Sequence, residues 1–164
     1  EMLRSLVGSE MCIRDRNMNV KIYSKKAIEE LLNKADRLEN TAVISFYDPP
    51  NVGSGRAKPV DYKGKTDMLF QVAVNDIDIE VLSEYGFTFE SFFTEAEELA
   101  EFIKEAHSKN MDIICQCEYG QSRSAACAAA ILEFYEKNGI SIFADYRYYP
   151  NQVIFNKIYD ALIK

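Results

Sequence analysis

The order of strand-like and helix-like stretches is the feature that most constrains this fold. Four runs rich in β-branched and aromatic residues are typical of strands: VKIYS at 20–24, TAVISFY at 41–47, DMLFQVAV at 67–74 and MDIICQC at 111–117. The second and third are almost entirely apolar, which is the pattern of strands buried on both faces. Helical patterns alternate with the runs. The sequence therefore predicts an α/β fold with a central, mostly parallel sheet of about four or five strands and helices on both faces.

Helix positions follow from capping residues and apolar stripes. Ser24 is expected to cap a first helix. Thr94 and Glu97 have capping-box spacing before a second. A third helix is expected from about Ser124 to Lys137, and a last one in YPNQVIFNKIYDALIK at 149–164. The residues expected to face the core are Ala27, Ile28, Leu31, Leu32 and Ala35 of the first helix, Ala96, Leu99, Phe102, Ile103 and Ala106 of the second, and Ile154, Ile158 and Leu162 of the last.

Length, charge and cysteine content bound the class of protein. The 164 residues are enough for one domain with a sizeable core. The formal net charge of −7 argues against a nucleic-acid partner, which would need a basic face. No apolar run approaches the length that spans a membrane, so we expect no membrane partner. Four cysteines without a secretory pattern predict reduced thiols and a cytoplasmic location.

The first sixteen residues, EMLRSLVGSEMCIRDR, have no steady periodicity. They resemble the translation of a sequencing adapter. We therefore expect residues 1–17 to be a non-native or disordered extension and residues 18–164 to form a single domain. The alternative is a real but mobile terminus.

The stretch CEYGQSRSAA at 117–126 carries the main chemical signal. It follows a strand pattern and enters a helix, and a tight loop before a helix N-terminus is an anion site. Cys117 in such a site is favoured as a thiolate nucleophile. Gly120 allows the backbone to turn, Arg123 can hold two phosphate oxygens, and Ser124 can donate a hydrogen bond to the sulfur. A cysteine that only packs in the core is much less consistent with this pattern.

A cysteine, five residues, Arg123 and Ser124 between a buried strand and a helix resemble the loop of the protein tyrosine phosphatase superfamily. The closest branch is the small dual-specificity-type phosphatases, including their bacterial relatives. AVNDIDIE at 73–80 resembles the loop that carries the general acid in that branch, and FFTEAEELAEFIKEA at 92–106 and YPNQVIFNKIYDAL at 149–162 resemble two of its helices. The resemblance implies hydrolysis of phosphomonoesters, in proteins or small molecules, through a thiophosphate intermediate. It implies no cofactor and no metal.

The resemblance assigns roles to particular residues. Cys117 is the expected nucleophile, and Ser124 helps the sulfur to leave. Asp76 is the expected general acid, with Asp78 as the alternative. The expected phosphate-binding residues are Glu118, Tyr119, Gly120, Gln121, Ser122 and Arg123. The loop interior contains no lysine, which favours a phosphoprotein or aryl phosphate over a phosphoinositide.

One position departs from the superfamily's pattern, because Gln116 stands where a histidine usually precedes the cysteine. Glutamine can donate a hydrogen bond but cannot carry charge, so we expect weakened rather than lost support for the thiolate. The departure keeps an alternative open, in which the chain is a catalytically impaired module that binds phosphorylated partners. A hydrolysis assay separates the two.

The remaining polar candidates have simpler explanations. Cys115 is expected in the core. Cys127 is expected to be packing as well, although a reversible disulfide with Cys117 is conceivable. His107 is expected to be a solvated cation near a helix C-terminus. Asn151 is expected to cap the last helix, with a buttressing role for the phosphate loop as a weaker alternative.

Overall fold

The computed structural model describes residues 19–50 and 58–164. Residues 1–18 lie outside the described part, and so does the expectation that the first seventeen form a non-native extension. The division into an extension and a single domain stays a prediction. Within the described residues, no helix is long and apolar enough to cross a membrane.

A parallel sheet of four strands forms the centre of the described structure. Its strands are β1 (Val20–Ser24), β2 (Leu38–Tyr47), β3 (Thr66–Ala73) and β4 (Asp112–Cys117). They lie in the order β1-β4-β2-β3, and every neighbouring pair is parallel. All four strand predictions are confirmed. Because the strands are parallel, their carboxyl ends meet at one edge of the sheet, where α/β folds place their ligands.

The helices are α1 (Lys25–Lys34), α2 (Ala96–Ser108), α3 (Arg123–Glu136), the short α4 (Ile140–Phe143) and α5 (Gln152–Ile163). Single 3₁₀ turns occupy Ile79–Val81 and Ser83–Tyr85. As predicted, Ser24 caps α1 by accepting a hydrogen bond from Ala27 N, and Asn151 caps α5 by accepting one from Ile154 N.

Helices cover both faces of the sheet, as predicted, but unequally. On one face, Val43 of β2 and Ile114 of β4 pack against Ile28 and Leu32 of α1, with Tyr62 beside them. On the other face, the alternate strand residues pack in a larger core with α2, α3 and α5. The alternation follows from the strand period of two, which sends successive side chains to opposite faces. The central strands β2 and β4 are therefore apolar on both faces.

Several local predictions are wrong. Strand β3 was expected to be buried on both faces, yet it lies at the edge of the sheet and only Val72 in it is buried. No capping box forms at Thr94, because α2 begins later and its N-cap is Glu95, without a side-chain cap bond. The Glu97 carboxylate pairs instead with Lys164 at the far end of α5.

The apolar faces of the helices were largely predicted. Ala27 is nevertheless exposed, because α1 turns only Ile28 and Leu32 fully into the core. His107 is half-buried, and its ring stacks on Tyr135 of α3 at a centroid distance of 3.8 Å. It is therefore a packing residue between two helices as well as a group near the end of α2.

Candidate active site

The loop between β4 and α3 is built around Cys117. The strand ends at this residue, the helix begins at Arg123, and residues 118–122 connect them. Cys117 is 2% exposed, and its Sγ lies 3.2 Å from Ser124 Oγ in the first turn of α3. The first N–H groups of a helix have no partner within the helix, and the helix dipole places positive potential there. The sulfur therefore lies where a thiolate or another anion is stabilised.

Backbone hydrogen bonds fix the loop from three sides. Glu118 O accepts from Lys25 N at the start of α1, at 3.0 Å. Gln121 O accepts from Tyr149 N, at 2.8 Å, on the segment before α5. Ser122 O accepts from Ala126 N within α3. The conformation of the loop is thus held by elements that are distant in sequence.

Gly120 is required by the path of the chain. Its φ of +69° lies in the left-handed region, and a Cβ built on it would lie 2.7 Å from Ser24 N. No backbone atom can move away cheaply at that distance, so any side chain at this position would push the loop off the end of β1. The glycine allows the loop to pack directly against the start of α1.

The guanidinium of Arg123 has two partners at Nη1 and none at Nε among the described residues. Its Nη1 donates to Val74 O at 2.7 Å and lies 2.9 Å from Asp48 Oδ1. Its Nε is buried and has no hydrogen-bond partner among the described residues. Leaving a buried donor without a hydrogen-bond partner costs free energy. We therefore expect the Nε of Arg123 to donate to an oxygen of a bound ligand. This geometry suits recognition of an oxyanion in the loop.

Asp48 is a site residue that the sequence analysis missed. It directly follows the end of β2, and its side chain is 15% exposed beside the nearly buried Arg123. In the sequence it resembles an ordinary turn residue before two prolines. The signal that could have found it is topological, since an acidic residue at the carboxyl end of a central parallel strand lies at the ligand edge of the sheet.

The two candidate acids have different surroundings. Asp76 Oδ1 accepts hydrogen bonds from Ser122 Oγ at 2.7 Å and from Asn151 Nδ2 at 3.1 Å, so this carboxylate lies directly against the loop at 118–122. Asp78 instead accepts from three backbone N–H groups: its own neighbour Ile79 and the first residues of α5, Gln152 and Val153. The carboxylate of Asp76 therefore lies at the loop, whereas that of Asp78 lies at the N-terminus of α5.

Asn151 joins three parts of the site. Its Oδ1 caps α5, its Nδ2 donates to Asp76 and to Ile77 O at 2.8 Å, and its backbone N donates to Ser122 O at 3.3 Å. The residue is 3% exposed. The expected capping role is confirmed, and the contact with the loop that was predicted as a weaker alternative exists beside it.

Gln116 is the centre of a buried hydrogen-bond cluster behind the cysteine. Its Oε1 accepts from Ser45 Oγ and, at 2.8 Å, from Tyr62 Oη, while its Nε2 donates to Cys117 O at 3.0 Å. Burial raises the pKa of Tyr62 above its usual range. The glutamine therefore has partners for both ends of its amide and orders the backbone of Cys117 without charge. Ser45 and Tyr62 are further residues of this region that sequence reasoning missed.

The other two cysteines of the described residues lie inside the core and not in the loop. Cys115 and Cys127 are both fully buried and both are free thiols. Burial raises the pKa of the Cys127 thiol, and a hydrogen bond with Cys115 adds to the effect. Among residues 19–50 and 58–164, no group of three or more histidine, cysteine or carboxylate side chains could hold a metal ion.

Comparison with known proteins identifies the fold. No family model and no curated protein matches the sequence. Solved structures do match. The human tyrosine phosphatase-like serine/threonine/tyrosine-interacting protein superposes with a TM-score of 0.57 and 16% identity, covering 88% of this chain and 93% of its own. Human DUSP28 gives a TM-score of 0.54 and 16% identity, covering 90% of each chain.

PTPMT1 in complex with PI(5)P gives a TM-score of 0.52 and 13% identity, covering 90% of this chain and 92% of that one. The fold is therefore that of the dual-specificity and tyrosine-phosphatase-like proteins, as the loop sequence led us to expect. A special likeness to bacterial members of this branch stays a prediction.

Proposed function

We propose that this protein is a cysteine-dependent phosphatase that hydrolyses phosphomonoesters, with phosphotyrosine in proteins as its main substrate and phosphoserine or phosphothreonine as further ones. The observation that carries the proposal is the orientation of Arg123. Its Nη1 is held by Val74 and Asp48, while its Nε is buried and unpaired among the described residues. Phosphate oxygens supply the partner that such a donor needs.

In the proposed first step, the Cys117 thiolate attacks phosphorus and the bond between phosphorus and the ester oxygen breaks. Asp76 gives its proton to the leaving oxygen, while Arg123 and the loop amides hold the three equatorial oxygens. In the second step, water attacks the thiophosphate and gives a proton to the Asp76 carboxylate. The bond between phosphorus and sulfur then breaks, helped by a hydrogen bond from Ser124, and inorganic phosphate leaves.

The depth of the reacting groups supports an aryl phosphate. Cys117 and Arg123 are only 2% and 3% exposed, whereas Tyr119 in the same loop is 60% exposed. A phosphate group must reach a nearly buried sulfur, and the long phenol of phosphotyrosine reaches further than a serine side chain. The absence of lysine from residues 118–122 and the net charge of −7 disfavour phosphoinositides.

Hydrolysis of p-nitrophenyl phosphate at neutral pH, with a chelator present, tests this proposal. Cys117→Ser should abolish turnover but keep phosphate binding, and Arg123→Lys should be severely impaired because the planar fork is lost. Cys127→Ala is the matched control, since that thiol is buried in the core, and it should retain activity. Full activity of Cys117→Ser, or activity that the chelator removes, contradicts the mechanism.

A second candidate function is recognition of phosphorylated partners without turnover. Gln116, which cannot carry charge, favours it. One of the matching structures is also that of a tyrosine phosphatase-like serine/threonine/tyrosine-interacting protein. Under this alternative, the purified protein binds phosphotyrosine peptides but leaves p-nitrophenyl phosphate intact.

A further inference from the structure

An unusual group of tyrosines lies beside the phosphate loop. Residues 144–150, with the sequence ADYRYYP, connect α4 to α5, and we refer to them as the tyrosine segment. Tyr149 N donates to Gln121 O at 2.8 Å, and the following Asn151 N donates to Ser122 O at 3.3 Å. Two consecutive residues of the phosphate loop are thus bonded to the end of this segment. The end of the segment is therefore held against the loop that carries Cys117 and Arg123.

Two rings of the tyrosine segment are largely exposed to solvent. Tyr146 is 88% exposed and Tyr149 is 71% exposed, and Tyr119 of the loop itself is 60% exposed. Exposure of a large aromatic side chain to water is unfavourable, and its burial against another molecule is favourable. Tyrosine combines an apolar body with a polar tip, which suits contact surfaces. Exposed rings on the loop and on the segment bonded to it indicate a surface that contacts another molecule.

The charges around the rings favour a cationic partner. A guanidinium already lies against a ring in this segment, where Arg147 Cζ is 5.2 Å from the centroid of Tyr148. The charge of Arg147 is neutralised by Asp145, whose carboxylate it contacts at 2.7 Å and whose pKa it lowers to about 2. The loop contributes one further carboxylate, Glu118. The ion pair within the segment is therefore neutral, and the whole chain carries −7.

We propose that the tyrosine segment, through Tyr146 and Tyr149, binds a lysine or arginine side chain that flanks the phosphorylated residue of a peptide substrate. This inference rests on the proposed function, because it assumes that the loop takes the phosphate. A phosphopeptide brings a dianion to a protein of net charge −7, and a cationic flank offsets that repulsion. Exposed ring faces attract cations, with Tyr among the favoured rings.

Binding of labelled phosphotyrosine peptides to Cys117→Ser, followed by fluorescence anisotropy, tests the inference without turnover. Three peptides differ only in their flanks, which carry arginine, alanine or glutamate. We expect the arginine peptide to bind more tightly than the alanine peptide by about two- to fivefold for each ring engaged. Replacing Tyr146 and Tyr149 together by alanine should remove most of this preference, whereas replacing both by phenylalanine should keep it because the ring faces remain.

Tyr85→Ala is the control, because Tyr85 is 59% exposed but lies outside the tyrosine segment. It should keep the preference. An arginine preference that survives the double alanine variant arises from overall charge, and that result overturns the inference. So does equal binding of the arginine and alanine peptides, or no binding of either. Tighter binding of vesicles containing a phosphoinositide, lost in the double alanine variant, would assign the surface to lipid and also overturn it.

The p-nitrophenyl phosphate assay on the unaltered protein separates this inference from the proposed function. Turnover without an arginine preference contradicts only the proposed docking surface. An arginine preference without turnover contradicts only the proposed phosphatase activity. The surface would then be part of a module that binds phosphorylated partners.

Discussion

Asp48 fixes one side of the Arg123 guanidinium, with Oδ1 of the carboxylate 2.9 Å from Nη1. The same Nη1 donates to Val74 O, so the ends of β2 and β3 both anchor the arginine. These two strand ends are themselves joined, because Val74 N donates to Tyr47 O at 3.0 Å. The orientation of the arginine towards the loop is therefore a property of the sheet edge and not of the loop alone.

Replacing Asp48 by asparagine should disturb this orientation. The variant leaves a nearly buried guanidinium without its counter-charge, and removing one partner of a buried ion pair costs about 3–5 kcal/mol. Because Asp48 is partly exposed, we expect the cost to lie near the lower end of this range. We expect kcat/KM for p-nitrophenyl phosphate to fall by up to about 100-fold, the usual effect of a small misplacement of a binding group.

Steady-state kinetics and urea unfolding of the same preparation measure both effects. Asp67→Asn is the matched control, because it breaks an ion pair with Arg37 whose partners are both largely exposed. It should change neither quantity by much. Unchanged kinetics in Asp48→Asn would mean that Val74 O alone positions the arginine.

The case of Asp48 shows what the sequence could and could not predict. Strand runs, their alternation with helices and the loop around Cys117 are local patterns, so they were predicted correctly. The partners of Arg123 depend on which strand ends are neighbours, and the order β1-β4-β2-β3 is not readable from local pattern. For the same reason, the apolar run of β3 suggested a central strand although it lies at the edge.

Asp76→Asn and Asp78→Asn should have different effects. Asp76 lies against Ser122 of the phosphate loop, so its loss should cut turnover by about 10²- to 10⁴-fold and remove the basic limb of the pH–rate profile. Asp78 accepts from the first N–H groups of α5, so its loss should mainly cost stability, by about 0.5–2 kcal/mol.

The pH dependence of kcat and the melting temperature of each variant decide this assignment. An activated aryl phosphate should suffer less from Asp76→Asn than a phenyl phosphate, because its leaving group needs less help. If Asp78→Asn loses the basic limb and Asp76→Asn keeps it, the general acid is Asp78. The sequence left both residues open because they are two positions apart in one loop. Only their partners separate them, Ser122 of the loop for Asp76 and the first residues of α5 for Asp78.

Tyr62→Phe should change the alkaline stability of the protein. Burial raises the pKa of Tyr62 above the ordinary value of 10, so the folded state resists ionisation of this phenol. Its contribution to stability is fully present below pH 10 and is lost as the pH rises from there towards the higher pKa of the folded state. At neutral pH the variant should be less stable by about 1 kcal/mol, because it loses the hydrogen bond to Gln116.

Urea unfolding at a series of pH values measures the difference between the two proteins. The deficit of Tyr62→Phe should shrink above pH 10 and can change sign, since only the unaltered protein must keep this phenol neutral. Tyr146→Phe, at a tyrosine that is 88% exposed, is the control and should follow the unaltered protein. A deficit that is constant with pH would mean that Tyr62 ionises as easily in the folded protein as in the unfolded chain.

Gln116 offers a direct test of how charge behind Cys117 affects the thiol. The amide orders the Cys117 backbone through Nε2 and accepts two buried hydroxyl donors, Ser45 and Tyr62, through Oε1. Leucine at this position would leave those groups unpaired, each at a cost of about 1–3 kcal/mol. We therefore expect Gln116→Leu to be strongly destabilised, so that its activity would not report on the reactivity of Cys117. Histidine and glutamate at this position can each keep part of the hydrogen bonding.

Gln116→His and Gln116→Glu should move the reactivity of Cys117 in opposite directions. A protonated imidazole favours the thiolate and a carboxylate opposes it, and in a largely buried site one unit charge is expected to change the thiolate population about tenfold. The rate of alkylation by iodoacetamide near neutral pH, corrected by the same measurement on Cys117→Ser, reports this population. We expect the rate to rise in Gln116→His and to fall in Gln116→Glu, with turnover of p-nitrophenyl phosphate at mildly acidic pH following the same order. Equal alkylation rates in all three proteins would mean that the loop amides and the start of α3 alone stabilise the thiolate, and that glutamine at this position costs the site nothing.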